Sequence, residues 1–196
     1  LLRPQAGQVL YKGVDVSMRY PLTLQDMFLV PEEFALPSVS LKRYLKLNTP
    51  FYPNFSNELL NACLHDFDMG QKKKAFMCFA LATNTSLLVM DEPSNGLDIP
   101  SKSQFRKVIA SGMTDEKAVI ISTHQVRDID SLLDHVVIID GTRVLLNESV
   151  KTICEKLYFV EQGMNESTDT ALYVQPSVQG NSVIFPNTYN EETNLN

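Results

Sequence analysis

Two apolar runs in the sequence end in side chains that can do chemistry. SLLVM, from Ser86 to Met90, is followed by Asp91-Glu92, and AVIIS, from Ala118 to Ser122, by Thr123-His124. Ligands of open α/β sheets collect outside the carboxyl ends of the strands, so both pairs stand where a site would form. Asp91, first out of its strand, suits Mg²⁺ held directly or through water, because hard cations take oxygen ligands. Glu92 suits a base that orients and deprotonates a water, with its pKa expected above the ordinary range from the neighbouring carboxylate and partial burial. His124 suits a hydrogen bond to a transferred phosphoryl group or to that water. If the two strands are neighbours the groups converge, and phosphoryl transfer to water is the reaction they fit. Taken singly, each has a plainer reading: an acidic pair as a helix cap or solvated turn, a strand-end histidine as a structural residue.

The surrounding pattern can position such groups. From Gln71 onward, helix and strand alternate: KKKAFMCFALAT leads into SLLVM, a helix opening at Ser101 with the capping box Ser101-x-x-Gln104 leads into AVIIS, and a third helix, QVRDIDSLL, leads into HVVIID. Strands that are apolar at every residue are expected to be buried on both faces, as in a parallel sheet covered by helices. Asp140-Gly141 then predicts a tight hairpin between HVVII and TRVLLN, followed by a helix, ESVKTICEKL. Upstream, QVLYKGVDV alternates like a hairpin turning at Gly13, FLV is a short strand stopped by Pro31, and SLKRYLKL and SNELLNACLHDF carry helix-spaced apolar residues. The fold class is therefore α/β, a mostly parallel sheet flanked by helices, with a small helical subdomain over about residues 38–70. Beyond Phe159 the composition turns to Asn, Thr, Ser, Gln and Glu with two short apolar runs, so residues 158–196 read as a C-terminal extension that is a small hairpin or a partly disordered tail.

Composition narrows the partners. A chain of 196 residues, 44% hydrophobic, can bury one proper core, and a net charge of -6 leaves no basic footprint for a nucleic acid. The three cysteines, Cys63, Cys78 and Cys154, are far apart and without CxxC spacing, which suggests neither a disulfide framework nor a zinc site and fits a reducing cytoplasm. The longest wholly apolar run, Ala75 to Ala82, is well short of the roughly 18 residues of a membrane span.

The joint order of motifs over Gly70 to Leu146 is specific to one family. LLVMDEPSNGLD resembles the Walker B strand and D-loop of an ABC-type ATPase, IISTHQ its switch-histidine strand, and VVIIDGTRVL its closing hairpin. The resemblance implies a P-loop NTPase-like fold that binds ATP and Mg²⁺ and hydrolyses ATP with Glu92 and His124. It implies a head-to-tail dimer with a second nucleotide-binding subunit, with Asp98 communicating across the interface. It further implies a transmembrane permease as partner, holding the chain on the cytoplasmic face of the membrane. The signature motif L-S-G-G-Q would fall on Phe67-Asp68-Met69-Gly70-Gln71. Gly70 and Gln71 match, whereas Asp68 and Met69 depart, and Asp68 would set a negative charge against the phosphate that a helix N-terminus otherwise favours. Either nucleotide capture is weakened, or the helical segment, short for the family, lacks residues before Gly70. The Q-loop glutamine falls on Glu32, a carboxylate that could reach Mg²⁺ or the attacking water, or that is simply part of a solvated acidic turn.

A P-loop requires G-x-x-x-x-G-K-[ST], because successive backbone N–H groups must wrap the phosphates and a lysine must neutralise them. The pair nearest that spacing, Gly7 and Gly13, is followed by Val14-Asp15. LLRPQAGQVLYKG resembles the segment that follows the P-loop and its helix in the family, so the chain is expected to start just after them and to bind ATP poorly by itself. A rival expectation is a non-catalytic, degenerate nucleotide-binding fold that serves as an interaction or regulatory module. Absence of Walker A, Asp68 and Glu32 favour the rival; Glu92 and His124 favour hydrolysis. The transported substrate is not legible in these residues.

Overall fold

The computed structural model describes residues 4–33, 39–66, 72–164, 166–178 and 180–187. The signature segment, residues 67–71, lies outside the described residues, and with it the readings of Asp68, Met69, Gly70 and Gln71. The chain divides into two compact units, residues 1–128 and 129–196.

The first unit opens with a hairpin of β1 (Leu10–Tyr11) and β2 (Val14–Asp15). Its two-residue turn, Lys12-Gly13, has positive φ at both positions (48° and 78°), the geometry whose twist suits a hairpin. After the short helix α1 (Pro21–Leu24) comes β3 (Met27–Val30), then α2 (Leu41–Asn48), capped by the Ser40 hydroxyl, and α3 (Asn57–Asp66). Next in order are α4 (Lys72–Ala82), β4 (Leu87–Asp91), α5 (Ile99–Gly112) and β5 (Ala118–Ser122). Strands β3, β4 and β5 form a parallel sheet in that order, so each strand pairs across a helical crossover, as the alternating pattern predicts.

One side chain fixes where this sheet begins. Asp26, just before β3, accepts from the Ser86 N–H and hydroxyl at one carboxylate oxygen, and from Tyr11 Oη (2.8 Å) and Lys12 Nζ (2.6 Å) at the other. Burial pushes its carboxyl up, but the donors of Lys12, Ser86 and Tyr11 outweigh this and hold it at about 2. The N-terminal hairpin and the starts of β3 and β4 are thus tied to a single ionised group.

In-register pairing puts Phe28, Val30, Leu88, Met90, Val119 and Ile121 on one face of the sheet. Val30, Leu88 and Met90 are buried there with the α4 and α5 residues Met77, Phe79, Ala80, Phe105 and Ile109. Phe79 is the hub, with Phe28, Tyr44, Tyr52 and Phe55 rings 5.2–6.0 Å away. The expectation of burial on both faces fails at β5, where Ile120, on the opposite face, is 55% exposed. Within this unit the described helices that pack on the sheet lie on the Phe28–Ile121 side, which leaves the Ile120 side with thinner cover.

Three further expectations are corrected. Helix α5 starts at Ile99 rather than Ser101, because Asp98 is the N-cap: its Oδ1 accepts the Ser101 N–H at 3.0 Å. QVRDIDSLL forms two 3₁₀ turns, Val126–Asp128 and Asp130–Leu132, in place of a helix. The Ser131 N–H is taken by the Asp130 side chain, which competes for a donor that a helix would use. Cys63 on α3 and Cys78 on α4 are joined in a disulfide, against the expectation of free thiols. The packing of α3 on α4 brings residues 15 apart in sequence to a Cα separation of 5.4 Å, a proximity that CxxC spacing does not encode.

The second unit holds an antiparallel hairpin of β6 (His135–Asp140) and β7 (Arg143–Ser149), with a register shift at Ile138/Ile139, then α6 (Val150–Lys156). Expected to be buried, β6 instead exposes Val137, Ile138 and Ile139, because its pairing ends at β7 in a two-stranded sheet. Strands β8 (Leu157–Gln162), β9 (Tyr173–Pro176) and β10 (Asn181–Pro186) make a three-stranded antiparallel sheet with β10 central.

Phe79→Ala is expected to destabilise the first unit by about 3–5 kcal/mol, since truncation empties the centre of the aromatic cluster; chemical denaturation of the variant checks this. Opening the Cys63–Cys78 bridge with a reductant is expected to cost up to about 3 kcal/mol, the loop-closure value for 15 residues. Unfolding midpoints that coincide with and without reductant would show that the bridge does not constrain the chain.

Candidate functional site

β4 and β5 are adjacent, parallel and in register, with Asp91 opposite Ser122. The two sequence features that could do chemistry are thereby brought together at one edge of the sheet. Glu92 is the first residue past the pairing, and it turns back: its φ is 43°, in the left-handed region that non-glycine residues rarely occupy. Its N–H donates to Ser122 O at 2.9 Å, and its carbonyl accepts the Asn95 N–H at 3.1 Å. Such strain, of order 1–2 kcal/mol, persists where the surroundings over-determine it. Here the surroundings are three donors on β5's end. Glu92 Oε1 accepts the His124 backbone N–H (2.9 Å) and faces the ring Nδ1 (2.6 Å), while Oε2 accepts the Thr123 hydroxyl (3.1 Å).

These donors reverse the expected titration of Glu92. Burial pushes its carboxyl up, but the His124 ring, the His124 N–H and the Thr123 hydroxyl together bring it below the ordinary value. The side chain is a carboxylate stabilised as the anion, aimed by β5.

The other candidates lie around this pair. Asp91 is exposed, with one oxygen accepting the Ser122 hydroxyl at 2.5 Å. Among the described residues no group of three or more His, Cys, Asp and Glu is placed to enclose a metal ion. Magnesium takes only one or two carboxylates and completes its shell with water and phosphate oxygens, and the exposed Asp91 carboxylate fits that donor set. Glu32 accepts from Asn95 Nδ2 at 2.8 Å. Asp98 caps α5, where the Ser101 hydroxyl and N–H hold its carboxyl below the usual range.

Sequence reasoning missed four polar neighbours. Lys73 Nζ donates to Asn95 O at 2.7 Å, and burial lowers its pKa against the pull of Glu32 and Glu92. Asn95, Gln125 and Lys102 extend the contacts from His124 outward. Asn95 stands three residues after Glu92 in a Pro-Ser-Asn-Gly turn and Gln125 directly after His124, so proximity to the chemical pairs was the available signal.

Because the folded state depresses the Glu92 pKa, its hydrogen bonds stabilise the chain above the unfolded carboxyl's pKa, and the contribution is lost as pH falls through the folded value. Thr123→Val is expected to cost up to about 1 kcal/mol at neutral pH, the size of one partly exposed hydrogen bond. The difference from wild type should shrink as the pH falls through the folded carboxyl's lowered pKa, as followed by chemical denaturation.

No protein-family model matches the chain. Among curated proteins it is similar to the Nod factor export ATP-binding protein I of Rhizobium etli, at 28% identity over 71% of this chain and 50% of that protein. It is also similar to the ABC transporter ATP-binding protein NatA of Bacillus subtilis (26%, covering 50% and 40%) and to the energy-coupling factor transporter ATP-binding protein EcfA2 of Staphylococcus aureus (30%, covering 50% and 35%). The chain spans half or less of the length of these relatives. Among solved structures, an ATP binding subunit of an ABC transporter superposes with a TM-score of 0.64 at 19% identity, covering 78% of this chain and 70% of that one. A bacterial Atm1-family ABC exporter with ATP bound gives 0.61 at 15% identity, covering 77% and 30%. Over half to 71% of its length the chain is homologous to the ATP-binding subunits of ABC transporters, and its fold is that of their ATPase domain.

Proposed function

We propose that the chain is part of an ATP-hydrolysing subunit that couples MgATP turnover, in a head-to-tail dimer, to transport by a membrane permease. The observation that carries this is the Glu92 carboxylate, kept anionic and held on His124 and Thr123 at the ends of two adjacent parallel strands. A water positioned beside this anion loses its proton to it as it attacks the terminal phosphorus. His124, already bonded to Glu92, keeps that oxygen in place, and Asp91 is the group that would hold Mg²⁺. The ion, when bound with the nucleotide, supplies charge neutralisation on the phosphate oxygens. Asp98, as a helix cap on the loop that follows Glu92, fixes the course of the segment assigned to the dimer interface. Among the described residues no helix is long and apolar enough to cross a membrane; the permease, at the cytoplasmic face, is the partner that the similarity to transporter ATP-binding subunits supports.

In the full-length protein, Glu92→Gln keeps the shape and the hydrogen bond to Thr123 less the charge, and is expected to lower kcat for ATP hydrolysis by about 10²–10⁴, the usual contribution of a general base. Retained nucleotide binding with lost turnover is the pattern expected. Undiminished hydrolysis in that variant would sink the assignment of the base.

A further inference from the structure

Gln125 stands between groups whose hydrogen-bonding character is fixed by their chemistry. On one side Lys102 Nζ lies 2.9 Å from Gln125 Oε1 and is ion-paired with Asp128 at 2.7 Å. An ammonium can only donate, so the amide atom facing it is the oxygen and the NH₂ points the other way. There Gln125 Nε2 is 3.3 Å from His124 Nε2 and 3.5 Å from Asn95 Oδ1, one acceptor for each of its two hydrogens. The far end gives the same orientation independently. Glu32 Oε1, a carboxylate that only accepts, is 2.8 Å from Asn95 Nδ2, so Asn95 turns its oxygen toward Gln125.

Every donor and acceptor from Lys102 to Glu32 is thus determined, and His124 Nε2 must accept. The imidazole proton is then on Nδ1, where it donates to Glu92 Oε1 at 2.6 Å. The other tautomer would set a nitrogen lone pair against the carboxylate at that distance. Gln125 is itself fixed by its N–H to Thr123 Oγ1 at 3.0 Å, the same hydroxyl that donates to Glu92.

We propose that Gln125, oriented by Lys102, is a positioning residue that holds His124 as its Nδ1–H tautomer and so keeps the Glu92 carboxylate aimed at its water. The catalytic consequence rests on the reading of Glu92 as the base; the tautomer does not.

The test uses the full-length subunit with ¹⁵N-labelled histidine rings, at a pH well above the ordinary imidazole value of about 6.5. His124 is assigned as the signal lost in His124→Ala. In the wild type, its Nδ1 is expected to be protonated and its Nε2 free. Gln125→Met removes the donor and Lys102→Met removes what orients it; the Glu92 carboxylate, 2.6 Å from Nδ1, still favours the Nδ1–H form, so each is expected to keep that form in the majority with a raised fraction protonated at Nε2. Each should also lower kcat about fivefold with KM for ATP changed less than about twofold, the worth of one hydrogen bond. Gln125→Glu, which offers only acceptors in the same shape, should move a proton onto Nε2, and Lys102→Arg should restore the wild-type spectrum. A wild-type ring protonated at Nε2, or a tautomer unmoved in both Gln125 variants, overturns the proposal, and a moved tautomer with unchanged kcat overturns its catalytic half. If Glu92→Gln leaves hydrolysis intact, the reading of the base fails while the spectra still decide the tautomer.

Discussion

The pairing register of β4 with β5 is the constraint on which the rest depends. With Asp91 opposite Ser122, the next residues on the two strands, Glu92 and Thr123-His124, face each other across the end of the sheet. Shifting this register would separate Glu92 from the hydroxyl, the N–H and the ring that keep it ionised. The left-handed turn at Glu92 follows from the same constraint, since only by turning back can its carboxylate reach β5. Two strands and one strained residue thereby make a fixed, desolvation-resistant anion at the mouth of an α/β sheet.

That register is held from both ends of the strands. At the amino ends Asp26 gathers Ser86, Tyr11 and Lys12, so β3 and β4 start level. Between the ends, the ring cluster around Phe79 presses α2, α4 and the loop at Tyr52 against one face of the sheet. At the carboxyl ends the polar chain from Lys102 through Gln125 and Asn95 to Glu32 links α5, the β5 turn, the loop after Glu92 and the loop after β3. Apolar packing sets the sheet's position, and a small set of ionised groups sets the directions of the side chains at its edge.

The sheet and its crossover helices were legible because their signal is local and redundant. SLLVM and AVIIS are apolar throughout, KKKAFMCFALAT is too long for a strand, and the Asp-Glu and Thr-His pairs mark the ends. What escaped the sequence depended on competition or on distance. Whether QVRDIDSLL becomes a helix turns on whether Asp130 takes a backbone donor first. The start of α5 turned on Asp98, a better cap than Ser101 for its place in the chain. The sign of the Glu92 shift could not be read from its acidic neighbour alone, because the deciding donors sit 31 and 32 residues away. The Cys63–Cys78 bridge likewise exists only through the packing of two helices.

The central claim is that Glu92 is an anion anchored by β5, and its titration in the full-length protein tests that most directly. Carboxyl ¹³C shifts, with Glu92 assigned by Glu92→Gln, should place its pKa below the ordinary glutamate range and move it upward in His124→Ala. A Glu92 that titrates above that range, or that is indifferent to His124, would contradict the account.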